Sequence, residues 1–576
     1  MTNKIRCVKY ITIFFLLVTG QFCFSQPSGF KYKIAIIGNP ANPDIRYDDA
    51  QLTALKNLGF NTIQLNIAWG ARPADEPLNL EDILYVPGIG DKERVDKRLS
   101  DIKFRAKTAK AWGFRTLFHF GAPRLDSLYK SLRPDLIDVA TEKYSISKPE
   151  VVKKYVDLLR RLKKEVPELD DIQLYTFDQE AWIANEFGDG PTDRGIPLSE
   201  RLPGFLQVLT STWAEVSPGG ILWWEPWEIS AGQIYTCIPL LPKKNFGFFL
   251  HSNIAEVQLT RPVDVWFKNM VRLLAARNIP VVGELFLSSA NEEVEPLDRI
   301  AAPRLVAEEL DAMAQFESLG GVKEYYGTIP DRYDPNLQMA GIKFANPLKS
   351  NNEALLELAK PYGNNRERIL AAWETTAMGL SLFPWDATWR FRSLPKNVAD
   401  IQVFHKWDIA HIMGEVAPSP SWKSTRRSLF MVTENEVLDP WFFEDVGLRC
   451  TSSSAKLQEA IDIFEKIDTD MGSGSPYKNY VVETISDLKI LEQIVTAIRC
   501  YCLEANLAWL MRKYTQEGRA IPAKIITRFE DIMQIDIANQ KKGYVANGYN
   551  QPAAEEMLVL FRQNPALWTS KYLIFK

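Results

Sequence analysis

Histidine and cysteine are scarce in this sequence, and positive charge is not in excess. Its 576 residues include only 4 histidines and 6 cysteines, and their positions match no metal-ligand spacing. The formal net charge is −4, so no basic excess favours the phosphate backbone of a nucleic acid as a partner. The chain also lacks low-complexity tracts and internal repeats, which excludes repeat architectures. We therefore expect no nucleic-acid partner, no metal and no cofactor.

The N-terminal residues differ from the rest of the chain. Lys4, Arg6 and Lys9 precede the apolar run 11–18, and small and polar residues follow as far as Ser25. This pattern is typical of a secretory signal peptide, and the run is shorter than the ~20 residues that span a bilayer. We therefore expect residues 1–25 to be removed. The mature protein is then exported (periplasmic or secreted), with no integral membrane segment.

The cysteines predict neither a lipid anchor nor a disulfide framework. Cys23 leaves a lipoprotein as the alternative, but Gln21 and Phe22 before it are not the small residues that lipid attachment usually requires. Two of the remaining cysteines lie two residues apart on a predicted helix, so they point in different directions and cannot easily pair. We expect buried, unpaired side chains for Cys237, Cys450, Cys500 and Cys502.

Short apolar runs alternate with amphipathic helical patterns from about residue 30 to 330. This alternation is typical of parallel strands joined by crossover helices. It predicts an α/β fold, a closed (β/α)8 barrel over residues 30–335, with a doubly wound open sheet as the alternative. The candidate strands are 33–38, 62–69, 115–120, 172–177, 220–225, 246–251, 280–285 and 321–326.

Long helical periodicities replace the strand-like runs in the remainder of the chain. From Ile485 to Trp509 the apolar residues follow the three-and-four spacing of a buried helix face. The sequence therefore predicts an all-α C-terminal domain over residues 336–576.

Polar and aromatic residues follow the predicted strands where each strand ends. In a (β/α)8 barrel these positions surround one concave mouth. Strand four continues into Asp178-Gln179-Glu180 and Trp182, and strand seven ends with Glu284. Candidate sugar-binding residues at this mouth are Trp69, His119, Trp182, Glu225, Trp227, Glu228, His251, Glu324 and Tyr325.

Carboxylates beside tryptophans are what glycoside hydrolysis requires. One carboxylic acid protonates the leaving oxygen, and a second carboxylate attacks the sugar or activates water. Asp178 and Glu180 share one face if the extended chain continues, and a neighbouring carboxylate favours the protonated form of the less solvated group. We therefore expect Glu180 to be the acid/base, Glu284 the nucleophile or base, and Asp178 an orienting group.

With these residues the predicted barrel resembles the (β/α)8 glycoside hydrolases. In their large retaining clan, the acid/base glutamate follows strand four directly after an amide residue, usually Asn, and the nucleophile glutamate ends strand seven. Gln179-Glu180 and Glu284 occupy those places, with Gln where Asn is usual. The resemblance implies a carbohydrate substrate and the same two glutamate roles.

Other relationships and functions stay open. Asp178-Gln179-Glu180 is also similar to the Asp-x-Glu end of the chitinase and N-acetylhexosaminidase pattern, in which the N-acetyl group of the substrate attacks. A barrel before a large helical domain resembles the inverting α-glucuronidase-type enzymes in architecture. A non-catalytic envelope protein would use the same residues only to bind glycans. A metal-dependent hydrolase would need His119, His251, Asp178 and Glu180 as ligands.

Glu180→Gln should abolish turnover and leave sugar binding intact, because the amide keeps the shape of the side chain but cannot donate the proton. A hydrolysis assay and calorimetric titration with a glycan measure the two properties separately. Wild-type turnover in the variant would remove Glu180 from the mechanism.

Overall fold

The computed structural model of this chain describes residues 29–38, 45–67, 76–121, 127–138, 142, 144–176, 193–226, 231–251, 265–287, 297, 299–325, 327–383, 440–544 and 551–572. Some predicted features lie outside these residues. They are the signal peptide, Asp178-Gln179-Glu180, Trp69, Trp182, Trp227 and Glu228.

Eight parallel strands form a closed barrel in chain order, because β1 pairs both with β2 and with β8. The predicted (β/α)8 barrel is confirmed, and the doubly wound sheet is excluded. An added Cβ on Gly321 would collide with the carbonyl oxygen of Tyr32, so the β1–β8 seam requires glycine there. The strands are β1 (Tyr32–Ile36), β2 (Thr62–Gln64), β3 (Arg115–Phe120), β4 (Asp171–Thr176), β5 (Leu222–Pro226), β6 (Phe246–His251), β7 (Val281–Leu285) and β8 (Leu319–Glu324).

Strand β2 ends earlier than the sequence predicts. Beyond Gln64, the Asn66 amide takes over pairing with the next strand: it accepts from the His119 N–H at 3.0 Å and donates to the His119 carbonyl at 2.9 Å. Arg105 donates to the Leu65 carbonyl at 2.8 Å. Side chains therefore satisfy backbone groups that a longer strand would have paired.

Helices connect the strands and continue to the C-terminal end of the described chain. Helix Pro149–Glu165 buries Tyr155, Leu158, Leu159 and Leu162 against the rest of the barrel domain. The helices are α1 (Asp49–Asn57), α2 (Lys92–Ala111), α3 (Ser127–Leu132), α4 (Pro149–Glu165), α5 (Leu198–Val216), α6 (Ala231–Cys237), α7 (Val265–Ala275), α8 (Pro303–Ala314), α9 (Pro335–Ala345), α10 (Asn351–Leu358), α11 (Arg366–Leu382), α12 (Pro440–Asp470), α13 (Pro476–Gln516), α14 (Ala523–Gln540), α15 (Gln551–Gln563) and α16 (Pro565–Tyr572).

An apolar layer fills the middle of the barrel. Trp223 stacks on Phe249 with ring centroids 4.8 Å apart, and Tyr32 meets the Trp223 ring edge-on at 5.0 Å. A Cβ on Gly247 would overlap the Trp223 ring, so glycine makes room for the indole. The layer consists of Tyr32, Ile34, Leu117, Trp223, Phe249 and Val282.

The C-terminal region is helical, as predicted. Cys237, Cys450, Cys500 and Cys502 are free and buried, which confirms the expectation for the cysteines. Among the described residues, α13 is the one helix long and apolar enough to cross a membrane, but 88% of its apolar window is buried within the protein. Its apolar surface packs against α12 and α14, as expected of a core helix.

Barrel and helical region meet beyond the predicted domain boundary. The first helix past residue 335 is α9, whose Phe344 packs edge-on against Phe60 with ring centroids 5.4 Å apart. Arg299 bonds to α13 through its backbone: its N–H donates to Asp487 at 2.8 Å, and its carbonyl accepts from Thr484 at 2.8 Å. These contacts attach α9 and α13 to the barrel; the boundary at 335 stays a prediction.

Asp536→Asn should stabilise the protein at neutral and alkaline pH. Burial raises the pKa of Asp536 from 3.8 to about 7, so between these two pH values the folded state keeps a proton that the unfolded state has lost. The free energy of unfolding therefore falls between about pH 4 and pH 7, on the scale of about 1.4 kcal/mol per pH unit. The asparagine variant removes this loss.

Urea unfolding at a series of pH values measures the effect of Asp536→Asn. The control is Asp531→Asn, which changes an exposed residue of the same helix and should shift stability little at any pH. An asparagine variant at position 536 that is less stable than the wild type at about pH 8 would contradict the argument.

Candidate active site

Polar side chains follow the apolar layer toward the C-terminal ends of the strands. Alternate residues of a strand face the same side, so the residues two positions beyond Leu117, Trp223 and Val282 also face the barrel interior. Those residues are His119, Glu225 and Glu284, and each is fully buried. Catalytic groups of (β/α)8 enzymes occupy this end of the barrel, so the interior becomes polar where chemistry is expected.

Glu284 and Lys323 form an ion pair inside the barrel. They are register partners on β7 and β8, and Lys323 Nζ lies 2.6 Å from Glu284 Oε1. Both side chains have 0% exposure. The rings of Phe249 and Tyr325 have their centroids 5.3 and 6.0 Å from the same nitrogen. Two charges so far from water are tolerated because each compensates the other.

A second polar group spans β3 to β5. Gln173 donates through Nε2 to Glu225 Oε2, and Gln173 is also in register with His119. The His119 ring lies 5.6 Å from the ring of Tyr175, which is in register with Glu225. The structure therefore brings His119, Gln173 and Glu225 together along one part of the interior wall.

Glu324 faces the opposite side of the sheet. It directly follows Lys323, so strand alternation turns it toward the helix layer. Its carboxylate accepts from the Leu287 N–H at 2.7 Å and the Gly327 N–H at 3.4 Å, where the chain leaves β7 and β8. On α8, burial and the neighbouring Glu324 raise the pKa of Glu309 well above its usual range. Glu324 thus binds loop backbone behind the interior.

The remaining predicted residues are placed only in part. His251 is in register with Glu284 at the end of β6, and its side chain lies outside the described part of the chain. Tyr325 is buried and packs against Phe286 with ring centroids 5.4 Å apart. The roles of Asp178, Glu180, Trp69, Trp182, Trp227 and Glu228 stay predictions, because these residues lie outside the described ranges. In those ranges no three His, Cys, Asp or Glu side chains could hold a metal ion.

Sequence reasoning missed Lys323 and Gln173. Gln173 stands between Ile172 and Leu174, and Lys323 follows Val322; a polar residue directly beside such apolar residues is the signal that could have found them. The prediction selected carboxylates, aromatic residues and histidines at strand ends, whereas Gln173 lies in the middle of β4 and Lys323, at the end of predicted strand eight, is none of these.

Two ion pairs fix described residues that directly follow parts of the sequence outside the described ranges. Glu76 pairs with Arg105 at 2.6 Å, and residues 68–75 precede Glu76 in the sequence. Asp193 pairs with Arg201 at 3.0 Å and accepts from Ser147 at 2.7 Å, and residues 177–192, which include Glu180, precede Asp193. Each pair therefore holds Glu76 or Asp193 in place on a neighbouring helix.

Arg201→Met should destabilise the protein by about 3–5 kcal/mol, because Asp193, with 0% exposure, would keep a buried charge without its partner. Arg160→Met is the matched control: Arg160 and Glu215 also pair at 3.0 Å but are 49% and 60% exposed, so its cost should stay below about 1 kcal/mol. Denaturant unfolding measures both. Equal effects of the two substitutions would contradict this account of the Asp193–Arg201 pair.

The fold is similar to that of a solved glycoside hydrolase. A GH138 enzyme targeting pectin rhamnogalacturonan II matches over 94% of this chain and 69% of its own, with a TM-score of 0.61 and 11% identity. A β-N-acetylhexosaminidase matches over 61% of this chain and 76% of its own, with a TM-score of 0.37 and 12% identity. No protein family and no curated protein matches the sequence. The chain thus has the distant (β/α)8 glycoside hydrolase resemblance that its sequence predicts, at the level of fold.

Proposed function

We propose that this protein is an exported glycoside hydrolase that cleaves a polysaccharide or glycan fragment. Glu180 acts as the acid/base, Glu284 as the nucleophile or base, and Asp178 orients the acid. The observation that supports this proposal most strongly is the buried Glu284–Lys323 pair at the C-terminal end of the barrel interior. An apolar pair could fill this space without the desolvation of two charges, so the carboxylate is better explained by chemistry than by packing.

The proposed reaction uses the two glutamates on opposite sides of the glycosidic bond. An ionised Glu284 either attacks the anomeric carbon or takes a proton from the water that does so. The bond to the leaving oxygen breaks, and that oxygen receives its proton from Glu180. Where Glu284 is the attacking group, water that gives its proton to Glu180 then cleaves the glycosyl ester and releases the Glu284 carboxylate. The negative charge of Glu284 also stabilises the positive charge that develops on the sugar ring.

Sugar recognition is assigned to the polar and aromatic residues around the mouth. Buried Glu225 and His119 supply hydrogen-bonding groups in the interior, and we propose that His251, Trp69, Trp182, Trp227, Glu228 and Tyr325 add further contacts. Glu324 contributes by holding the loop backbone at Leu287 and Gly327. The solved enzyme of similar fold targets pectin rhamnogalacturonan II, so pectin-derived oligosaccharides are the first substrates to assay.

Glu284→Gln should lower kcat/KM for a cleaved glycan at least roughly 100-fold, because the amide can neither attack nor accept a proton. Glu309→Gln is the matched control: burial favours the neutral form of Glu309 on α8, so its neutral isostere should retain activity. Reducing-end release from pectin fragments, N-acetylhexosamine oligomers and neutral glycans is the assay.

The outcomes separate the competing functions. Wild-type rates in Glu284→Gln with an inactive Asp178→Asn would favour the substrate-assisted hexosaminidase mechanism. Tight binding of glycans with no hydrolysis by the wild type would favour a non-catalytic glycan-binding protein. Either result would overturn the proposed roles.

A further inference from the structure

We propose that Lys323 is a positioning residue of the hydrolase, which holds Glu284 ionised and correctly oriented for its reaction. This inference rests on the proposed function, because it assigns a task to the neighbour of Glu284. In the proposal Lys323 touches the Oε1 oxygen of Glu284 and no atom of the sugar, so it acts through the carboxylate.

An irregularity in the sheet places Lys323 opposite Glu284. Val281 pairs with Leu319, but the next residue, Val282, pairs with Gly321, so Gly320 is an extra residue in β8. A regular ladder would have put Val322 opposite Glu284. Bulges of this kind re-aim side chains and occur often beside active sites. The bulge at Gly320 is therefore what brings the ammonium group to the carboxylate.

Lys323 supplies positive charge directly beside the Glu284 carboxylate. Lys323 is the only Lys or Arg in β6, β7 and β8. The other titratable residues of these strands are His251, in register with Glu284, and Glu324, which faces the helix layer beside Glu309. In the interior, Glu225 on β5 is a further buried carboxyl group. Without Lys323 a carboxyl group with 0% exposure would favour its protonated form, which can neither attack nor accept a proton.

The geometry also limits how Glu284 can move. The 2.6 Å bond to Oε1 joins two side chains whose backbones are already tied by the β7–β8 ladder. A charge-assisted bond of this length holds the carboxylate in one orientation. The pair thus supplies both the ionised state and the alignment that a nucleophile or base requires.

A second buried lysine offers a matched control. Lys154 pairs with Glu81 on the same end of the barrel, with the two side chains only 6% and 3% exposed. This pair lies between α4 and the short 3₁₀ helix Leu80–Asp82, outside the barrel interior. Lys154→Met removes a comparable buried ion pair and leaves Glu284 and Lys323 untouched.

The experiment compares the pH profiles of kcat/KM for the wild type, Lys323→Met and Lys154→Met on a glycan that the wild type cleaves. Both variants should be less stable in urea. Only Lys323→Met should have a kcat/KM at least about tenfold lower than that of the wild type at neutral pH. The acid limb of its profile, where kcat/KM falls as the pH is lowered, should move upward by about one to three pH units. Lys323→Arg keeps the charge, so its acid limb should stay near that of the wild type even if kcat falls.

Each outcome decides the proposal. The role of Lys323 is overturned if the pH profile of Lys323→Met has the same acid limb as that of the wild type. It is also overturned if Lys154→Met shifts the acid limb equally. In both cases hydrolysis by Glu284 stands. If Lys323→Met does not fold, an upward shift of the limb in Lys323→Arg overturns it instead. Full activity of Glu284→Gln, or no hydrolysis by the wild type, overturns the proposed function and the inference with it.

Discussion

The closure of the sheet between β1 and β8 is the constraint on which the rest of the structure depends. Once eight parallel strands close, every second side chain of each strand must share an interior that side chains alone fill. Gly321 at the seam and Gly247 under the Trp223 ring are the places where the backbone has to make room. The same closure brings the ends of strands distant in sequence to one mouth.

Along single strands the interior side chains change from apolar to polar over a distance of two residues. Trp223 and Val282 belong to the apolar layer, and Glu225 and Glu284 follow them toward the mouth. Apolar side chains satisfy the packing of a barrel without desolvating charges. The fold therefore explains the lower layer, whereas the upper layer is explained by the proposed chemistry. The pairs Glu76–Arg105 and Asp193–Arg201 tie Glu76 and Asp193 to helices outside the barrel.

The eight strands and Glu284 could be predicted because they depend on local patterns. Apolar runs of strand length alternate with amphipathic helices, and Glu284 ends one such run. Lys323 could not be paired with Glu284 in advance, since the pairing depends on the extra residue Gly320 and becomes visible only in the β7–β8 register. The early end of β2 was equally hidden, because the Asn66 side chain replaces backbone bonds to a residue far along the chain.

The central claim is that a glycan is cleaved at the mouth of the barrel between Glu180 and Glu284. A crystal structure of the protein with a bound glycan fragment tests it most directly. The account predicts a sugar ring between these two carboxyl groups, which should stand about 5–5.5 Å apart for a retaining reaction or about 6.5–9.5 Å apart for an inverting one. A glycan bound elsewhere, or a separation well beyond this range, would contradict it.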